Sequence, residues 1–347
     1  MKFRYLGKTG LLVSRIALGT MTFGTPDWGS DEATSHAVIK RYLDAGGNHL
    51  DAANMYGGGR TEEVIGALMP QMNRDEIIIS SKCFFPMAQK PNFFGTSRKH
   101  LMASVENSLR KLQTDYIDLY YLHGPDPITP MEESLRTLND LVRQGKIRYI
   151  GVSNFFGWQL AKAQGITREL NLEPIVATQP LYNLVQRGSE AELIPAALDS
   201  GVGVIPYSPL GGGFLTGKYA DQQEPEKGTR MDYRQGTDGP RFWHEKGFAT
   251  AKILHEVSEQ AGVPMAKLAV AWVLKRRFVT SVILGARRPE QLDVTLQAGT
   301  WDMPDDIFEE LEQRTRPQED YLTWFVRRSY QRHFDAGEFH NPNAQLL

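Results

Sequence analysis

The sequence predicts one α/β domain over residues 1–347, folded as a closed (β/α)8 barrel of the TIM-barrel type. Eight short apolar runs alternate with helical patterns, mostly at a spacing of about 30 residues. The runs are RIALGT, GNHLDAA, EIIISSK, YIDLYYLH, IRYIGVSN, EPIVATQ, VGVIPYS and SVILGA. Several are nearly continuous in Val, Ile, Leu and Tyr, as in parallel strands that are covered on both faces.

An open, doubly wound sheet is the alternative architecture. Such a sheet usually has fewer strands, and its dinucleotide-binding form carries a GxGxxG motif that does not follow the first run here. The strand count therefore favours the barrel.

Residues 3–14, FRYLGKTGLLVS, come before the first run and predict a β-hairpin that turns at Gly7 to Gly10. Because this hairpin precedes the barrel strands, we expect it to close the bottom of the barrel.

The segments between the strands carry helix signals. Asp31 precedes EATSHAVIKRYLDAG, and either Thr96 or Ser97 precedes RKHLMASVENSLRKL. Short polar side chains at these positions are typical N-caps, since their oxygens accept hydrogen bonds from the first free backbone N–H groups.

Two further helix starts match the capping-box pattern. Thr129 with Glu132 precedes ESLRTLNDLVRQG, which ends at Gly145, and Ser189 with Glu192 precedes LIPAALDSG. We therefore expect these hydroxyls to cap the two helices.

Composition argues against several classes of partner. A formal net charge of −2 gives no electrostatic reason to expect a nucleic-acid or membrane partner. The single cysteine, Cys83, cannot form an internal disulfide, and the start MKFRYLGKTG has no long apolar region. These features predict a cytoplasmic protein that acts on a small molecule, and they leave a homo-oligomer open.

The stretch PLGGGFLTGKY, residues 209–219, partly matches a phosphate-binding P-loop. Gly212, Gly217 and Lys218 fit GxxxxGK, but Tyr219 stands where a P-loop needs a Ser or Thr hydroxyl for Mg²⁺. The stretch opens an unusually long segment after the seventh strand, and such segments are usually functional or disordered. Its position at the C-terminal face of a barrel favours phosphate binding over a chance glycine-rich loop.

Polar residues follow the second, third and fourth strands at the same face. Asp51, Tyr56, Lys82 and His123 each have an ordinary explanation taken singly, but together they would converge on one mouth. A buried Lys82 needs a partner, and Asp51 lies one strand away. The resulting cation would favour the phenolate of Tyr56 and so lower its pKa. His123 could then hydrogen-bond a carbonyl oxygen, and the histidine and cysteine spacing predicts no metal site.

These motifs resemble the aldo-keto reductases, barrels that use NAD(P)H to reduce aldehydes and ketones. The resemblance runs from YLGKTGLLVSRIALGTMTFG through GARRPEQLD. It implies that Asp51, Tyr56, Lys82 and His123 form the catalytic tetrad, with Tyr56 giving the proton to the carbonyl oxygen. The hydride would come from the cofactor.

The resemblance also implies a cofactor site, covered by residues 209–250. Ser153, Asn154 and Gln179 would hold the nicotinamide carboxamide, Tyr207 would stack on its ring, and Arg288 would contact the 2′-phosphate of NADP. The remaining cofactor residues it implies are Gly19, Thr20, Met21, Asp51, Ser208, Pro209, Leu210, Gly212, Lys218, Gly285, Arg287 and Gln291. The basic pair Arg287 and Arg288 at a helix start is an anion site by geometry and charge. The resemblance implies a 2′-phosphate contact at Arg288 and therefore favours NADP over NAD.

The chain departs from the family pattern at two places. Thr295 stands where many relatives have Asn, which bears on the adenine contacts. Gly124 follows His123 where relatives often carry Trp or Arg, and we expect the missing bulk to leave more room above the site.

The substrate pocket and the C-terminal tail give the weakest signals. An apolar rim is expected from Phe23, Trp28, Phe84, Phe93 and Trp324. The tail, residues 316–347, contains the amphipathic YLTWFVRRSYQRHF and is expected over the active-site face or at a subunit contact, with a frayed end NPNAQLL.

Together these observations predict an NADPH-dependent oxidoreductase that reversibly converts an aldehyde or ketone to an alcohol. Two alternatives remain: an NAD-dependent alcohol dehydrogenase, and an NADP-binding regulatory protein like the channel β-subunits of the same superfamily. Those subunits usually carry Asn at the position of His123, so His123 favours an enzyme.

Overall fold

The computed structural model describes residues 1–25, 27–219, 224–318 and 321–333; in the last range the side chains of 327 and 330–333 are not described. The strands are β1 (Phe3–Tyr5), β2 (Leu12–Ser14), β3 (Ile16–Gly19), β4 (His49–Asp51), β5 (Ile78–Cys83), β6 (Ile117–Leu122), β7 (Ile147–Ser153), β8 (Ile175–Gln179), β9 (Gly203–Val204) and β10 (Val282–Gly285). All eight runs taken as barrel strands form strands, β3 to β10.

The eight strands form one parallel sheet in the order β10-β3-β4-β5-β6-β7-β8-β9. The sheet closes between its ends: the Ile283 amide donates to the Pro206 carbonyl at 2.8 Å, and Tyr207 pairs in parallel with Ile283. The predicted (β/α)8 barrel is confirmed. Strand β9 is short because Pro206 lacks the N–H that would continue the ladder.

The helices cover the outside of the barrel and its C-terminal face. They are α1 (Glu32–Asp44), α2 (Arg60–Leu68), α3 (Arg98–Leu112), α4 (Met131–Arg143), α5 (Gly157–Glu169), α6 (Leu193–Ser200), α7 (Arg230–Tyr233), α8 (Gln235–Phe242), α9 (Glu245–Ala261), α10 (Met265–Lys275), α11 (Glu290–Thr295), α12 (Asp305–Arg314) and α13 (Tyr321–His333). In the part of the chain described, no helix is both long and apolar enough to cross a membrane.

The predicted hairpin is present and closes the barrel floor. Strands β1 and β2 pair antiparallel, with Tyr5 opposite Leu12. Leu6 and Val13 are fully buried and pack in one cluster with inward-facing strand residues such as Ala17 and Leu119. The barrel interior is therefore sealed on the side of the strand N-termini.

Two of the expected helix caps are confirmed. Asp31 accepts a hydrogen bond from the Thr34 amide at 2.8 Å, and Ser97, rather than Thr96, accepts one from the His100 amide at 3.4 Å. Helix α4 also ends as expected, since Gly145 follows it with a positive φ of 70°.

The two capping boxes are wrong. Helix α4 begins at Met131 after Pro130, and the Thr129 amide instead donates to the Asp126 carboxylate at 3.0 Å. Ser189 lies in a short 3-10 turn, and the hydroxyl has no hydrogen-bond partner among the described residues. The Asp126 carboxylate therefore holds the turn at Thr129, and helix α4 begins without a side-chain cap.

Candidate active site

A buried ion pair lies at the centre of the barrel mouth. Strand β4 ends at Asp51, and Lys82 is the last inward-facing residue of β5, since side chains alternate between the two faces of a strand. The Lys82 Nζ lies 2.6 Å from Asp51 Oδ2 and donates at the same distance to the Ala52 carbonyl. Neither side chain is more than 2% exposed. Removal of either partner would leave an isolated charge in the interior.

The other oxygen of Asp51 accepts two more hydrogen bonds. Ser80 Oγ lies 2.8 Å and Gln179 Nε2 lies 3.0 Å from Asp51 Oδ1. Behind Ser80, His49 Nε2 lies 2.9 Å from its hydroxyl. The Asp51 carboxylate therefore has donors on both of its oxygens.

Tyr56 stands above this pair on a short 3-10 turn, Tyr56–Gly59, after β4. Its hydroxyl is 3.4 Å from Lys82 Nζ, which also lies 4.9 Å from the centre of the phenol ring. Burial raises the pKa of Tyr56, and the Lys82 ammonium offsets only part of this rise. The expected lowering of this pKa is therefore wrong in net direction, because the loss of solvent outweighs the cation.

Lys82 itself is held as an ammonium. Burial acts to lower the pKa of Lys82, but the Asp51 carboxylate and the Tyr56 hydroxyl outweigh it, so that the pKa is raised. The positive charge beside Tyr56 is therefore fixed near neutral pH.

His123 follows β6 and faces the phenol. Its ring centre lies 5.8 Å from that of Tyr56 in an edge-to-face arrangement, and Phe85 packs on it at 5.0 Å. Burial, with a smaller effect of Lys82, places the pKa of His123 well below its usual value. The imidazole is therefore neutral and can donate a single N–H.

The residues expected around a carboxamide do lie together. Ser153 Oγ donates to the Gln179 carbonyl at 2.9 Å, and Asn154 Nδ2 donates to the His123 carbonyl at 2.9 Å. Tyr207 OH donates to Asn154 Oδ1 at 2.9 Å. The structure brings the four residues together, Gln179 through its backbone carbonyl, and their contact with a ligand stays a prediction.

The segment after β9 presents backbone to the mouth. Ser208 and the three glycines 211–213 all have positive φ, a conformation that glycine adopts without strain. A Cβ at Gly213 would lie 3.0 Å from the Lys218 side chain, and one at Gly212 would lie 3.4 Å from Arg230 Nε. Bare backbone and two cations therefore lie side by side. Pro209 is buried in this turn, and Leu210 is partly exposed.

The expected covering loop, 209–250, is partly helical, with α7, α8 and the start of α9 within it. Arg230 Nε lies 2.9 Å and Arg234 Nε lies 3.4 Å from Asp238 Oδ2, and Arg241 is 3.6 Å from Asp238 Oδ1. Three guanidinium groups thus surround one fully buried carboxylate and leave an excess of positive charge.

The ends of β3 and β10 complete this side of the mouth. Thr20 Oγ1 donates to the Asp51 carbonyl at 2.9 Å, between the buried Gly19 and the partly exposed Met21. Gly285, which pairs with Gly19, is exposed at the end of β10.

Gln291 organises the turn that follows β10. Its Oε1 accepts from the amides of Arg287 at 2.7 Å and Arg288 at 3.3 Å. The Arg287 side chain donates to the Trp28 carbonyl at 3.1 Å, whereas Arg288 is exposed. Thr295 is buried and its hydroxyl donates to the Gln291 carbonyl at 2.9 Å.

The expected pocket residues separate into different environments. Phe23 is fully buried in the main core and therefore is a packing residue rather than part of a rim. Trp28 stacks on Tyr233 with ring centres 5.9 Å apart, while Phe93 is 46% exposed. Trp324 lies on α13, and its ring contacts Tyr321 of the same helix.

The room expected above Gly124 is occupied by Phe84. A Cβ at Gly124 would lie 3.0 Å from two ring carbons of Phe84. The aromatic ring from the neighbouring loop thus fills the space that the missing side chain leaves.

The tail forms helix α13, whose large apolar residues Tyr321, Leu322 and Phe325 are exposed. Its position over the active-site face stays a prediction, and the end NPNAQLL lies outside the described residues.

Sequence reasoning missed four residues of this network: His49, Ser80, Arg230 and Asp238. For the first two a signal was present, because His49-x-Asp51 and Ser80-x-Lys82 have the spacing that places both residues on one face of a strand. Arg230 and Asp238 come together only through the fold of the long segment.

The fold and the mouth together define a (β/α)8 barrel with a buried acid–lysine pair beneath a phenol. The chain matches the family model of the aldo/keto reductases over residues 15–315, and it belongs to this family. The family acts on small carbonyl compounds, generally with nicotinamide cofactors, so the chain is an oxidoreductase by family.

Individual relatives cover most of the chain. An L-glyceraldehyde 3-phosphate reductase of Escherichia coli is 36% identical over 313 residues, 86% of this chain and 87% of the relative. An uncharacterized oxidoreductase of Bacillus subtilis is 37% identical over 308 residues, 86% of this chain and 91% of the relative. A probable voltage-gated potassium channel subunit beta of rice is 33% identical over 302 residues, 86% and 91%.

Proposed function

We propose that this protein is an NADPH-dependent carbonyl reductase that reversibly reduces an aldehyde or ketone to an alcohol. The observation that carries this proposal is the Tyr56 hydroxyl, 3.4 Å from the ammonium of a buried Lys82–Asp51 pair at the open end of the barrel. A phenol beside a fixed cation is suited to give a proton to a carbonyl oxygen.

Tyr56 acts as the proton donor. Burial raises its pKa, so the phenol is protonated near neutral pH and available as an acid. The Lys82 ammonium stabilises the negative charge that develops on the phenol oxygen as the proton leaves. A nicotinamide cofactor, when bound, would supply the hydride.

His123 positions the carbonyl group. As a neutral imidazole at the mouth it has one N–H to donate to the substrate oxygen, and it does not compete with Tyr56 as an acid. The aromatic rings of Phe84 and Phe85 beside it favour a substrate with an apolar body.

The residues present fit a phosphorylated dinucleotide. The glycine backbone at residues 211–213 lets an anion come close, and Lys218 and Arg230 supply positive charge beside it. Ser153, Asn154, Gln179 and Tyr207 would hold the nicotinamide. Arg288, which is exposed at the turn after β10, would contact the 2′-phosphate.

The regulatory role suggested by the channel β-subunit relative is the second candidate. His123 argues against it, because the ring lies in edge-to-face contact with Tyr56, where a proton donor needs a substrate-positioning group.

The test is steady-state oxidation of NADPH and NADH with aromatic aldehydes, aliphatic aldehydes and bulkier ketones. We expect turnover that prefers NADPH, loss of turnover in Tyr56→Phe with NADPH binding retained, and selective weakening of NADPH binding in Arg288→Ala. Loss of both turnover and NADPH binding in Tyr56→Phe would show a structural role for Tyr56. Equal weakening of both cofactors in Arg288→Ala would contradict its assignment. NADPH binding without turnover of any carbonyl would favour the regulatory candidate.

A further inference from the structure

We propose that His49 and Ser80 are positioning residues that hold the Asp51 carboxylate and thereby set the acid strength of Tyr56. This inference rests on the proposed role of Tyr56 as proton donor. It concerns two side chains below the mouth, both fully buried inside the barrel.

The hydrogen positions in this chain of groups follow from its chemistry. An ionised carboxylate only accepts, so the single hydroxyl hydrogen of Ser80 points at Asp51 Oδ1, 2.8 Å away. The Ser80 oxygen must then accept from His49 Nε2–H at 2.9 Å. Burial lowers the pKa of His49 to about 4, which agrees with a neutral ring protonated on Nε2.

The parallel register of the strands fixes the order of these groups. On β4, His49 and Asp51 share the inward face, and on β5, Ser80 and Lys82 share it. Asp51 lies opposite Ser80 in the ladder. The four side chains are therefore built into two rigid strands, which makes the alignment independent of loop movement.

The effect on Tyr56 passes through Asp51 and Lys82. The Asp51 carboxylate raises the pKa of Tyr56 and so opposes the Lys82 ammonium. The hydrogen bond from Ser80 to Asp51 Oδ1 weakens this opposing negative charge, so the ammonium, 3.4 Å from the Tyr56 hydroxyl, acts more strongly on the phenol. Without the Ser80 donor, the phenolate of Tyr56 would be less stabilised and the phenol would be a weaker acid.

Several charged and titratable groups surround Tyr56. They are Lys82 on β5, Asp51 on β4, His123 after β6, Tyr207 after β9 and Arg230 on α7. The proposed variants alter none of these five side chains, so a change in the titration of Tyr56 reports on the support of Asp51.

The chain provides a matched control for Ser80. Ser81 is the next residue of β5, is equally buried, and donates from its hydroxyl to Glu62 Oε1 at 2.6 Å on the outer face. Ser81→Ala therefore removes a buried hydroxyl that bonds a carboxyl group, as Ser80→Ala does, but on the side away from the site.

The experiment compares Ser80→Ala, Ser80→Thr and Ser81→Ala. Tyr56 is replaced by 3,5-difluorotyrosine in each protein, and the phenol is titrated by ¹⁹F NMR. We expect Ser80→Ala to raise the pKa of this phenol, Ser80→Thr to restore it and Ser81→Ala to leave it unchanged. With Tyr56 intact, each tenfold weakening of the phenol as an acid should accompany a loss of kcat of up to about tenfold, with KM and the Kd for NADPH unchanged.

A second variant keeps the test decisive if Ser80→Ala does not fold. His49→Phe removes the donor to Ser80, and we expect the pKa of the phenol to rise again, by less than in Ser80→Ala. Equal titration in Ser80→Ala and Ser81→Ala would overturn the inference, as would a phenol pKa in His49→Phe equal to that of the wild type. The titration does not depend on turnover. Absence of carbonyl reduction would therefore contradict the proposed function, whereas the inference about His49 and Ser80 is decided by the titration alone.

Discussion

The two faces of strand β5 hold two buried polar clusters that differ in charge. On the inner face, Asp51 is paired with the Lys82 ammonium, and both carboxylate oxygens accept hydrogen bonds. On the outer face, Glu62 of α2 accepts from Ser81, while its Oε2 has no hydrogen-bond partner among the described residues. Burial raises the pKa of Glu62.

The two carboxyl groups therefore differ in whether a counter-charge contacts them, and not in how deeply they are buried. Both are buried to within a few per cent, and both bond to a serine of the same strand. Asp51 has the Lys82 ammonium in direct contact, whereas at Glu62 burial outweighs the Ser81 and Ser108 hydroxyls and the charges of Lys111 and Lys82 and raises the pKa. The inner cluster is therefore suited to acid–base chemistry and the outer one to packing.

Lys82→Met removes the counter-charge that distinguishes the inner cluster from the outer one. It leaves the Asp51 carboxylate buried without its counter-charge, so we expect a stability loss of about 3–5 kcal/mol in urea unfolding. Turnover should fall by about 10²–10⁴. Lys111→Met is the control, since Lys111 pairs with the partly exposed Glu63 at 3.3 Å and its replacement should cost less than about 1 kcal/mol. Similar losses in the two variants would contradict the special status of the inner pair.

Glu62→Gln tests, through the pH dependence of stability, whether the carboxyl group of the outer cluster is neutral in the native protein. The pKa of Glu62 is raised in the native protein, so this carboxyl group ionises in the unfolded chain first, as the pH rises past about 4.3. Above that pH the free energy of unfolding of the wild type falls, until the pH passes the pKa of Glu62 in the native state. Gln does not titrate. The Tm of the variant relative to the wild type should therefore be lowest near pH 4 and rise toward pH 8. A constant difference across this range would show that Glu62 is already charged in the native state.

The reactivity of the Cys83 thiol tests whether the outer face of β5 is closed to solvent. It is the only cysteine in the sequence, lies on the outer face, and contacts Ser104 at 3.2 Å. Burial raises the pKa of its thiol to about 12, so a disulfide reagent should not label the native protein at pH 8. Full labelling is expected in urea. Rapid labelling of the native protein would show that the outer cluster opens to solvent.

Much of the fold could be predicted from the sequence, because the local residue patterns agree with the overall arrangement of the strands. Continuous apolar runs identified the barrel strands, and Gly7 to Gly10 identified the hairpin turn. The convergence of Asp51, Lys82 and His123 also followed, since the C-terminal ends of parallel strands meet at one face.

The features that the sequence did not predict depend on contacts that form only in the folded chain. Thr129 carries a helix-cap signal, but in the structure its amide donates to the Asp126 carboxylate and its hydroxyl does not cap the helix. The net rise in the pKa of Tyr56 depends on burial by the assembled mouth, and the filling of the space above Gly124 depends on the rotamer of Phe84. These outcomes are decided by packing, which a local motif does not contain.

The hairpin floor restricts where a ligand can reach the barrel. Leu6 and Val13 close the end at the strand N-termini, and side chains such as Ala17 and Leu119 fill the interior above them. Two ligands bound one above the other at the open end would therefore have to enter and leave from the same side. The one bound deeper would have to enter first and leave last, so a hairpin of three-residue strands at the start of the chain would impose an order of binding.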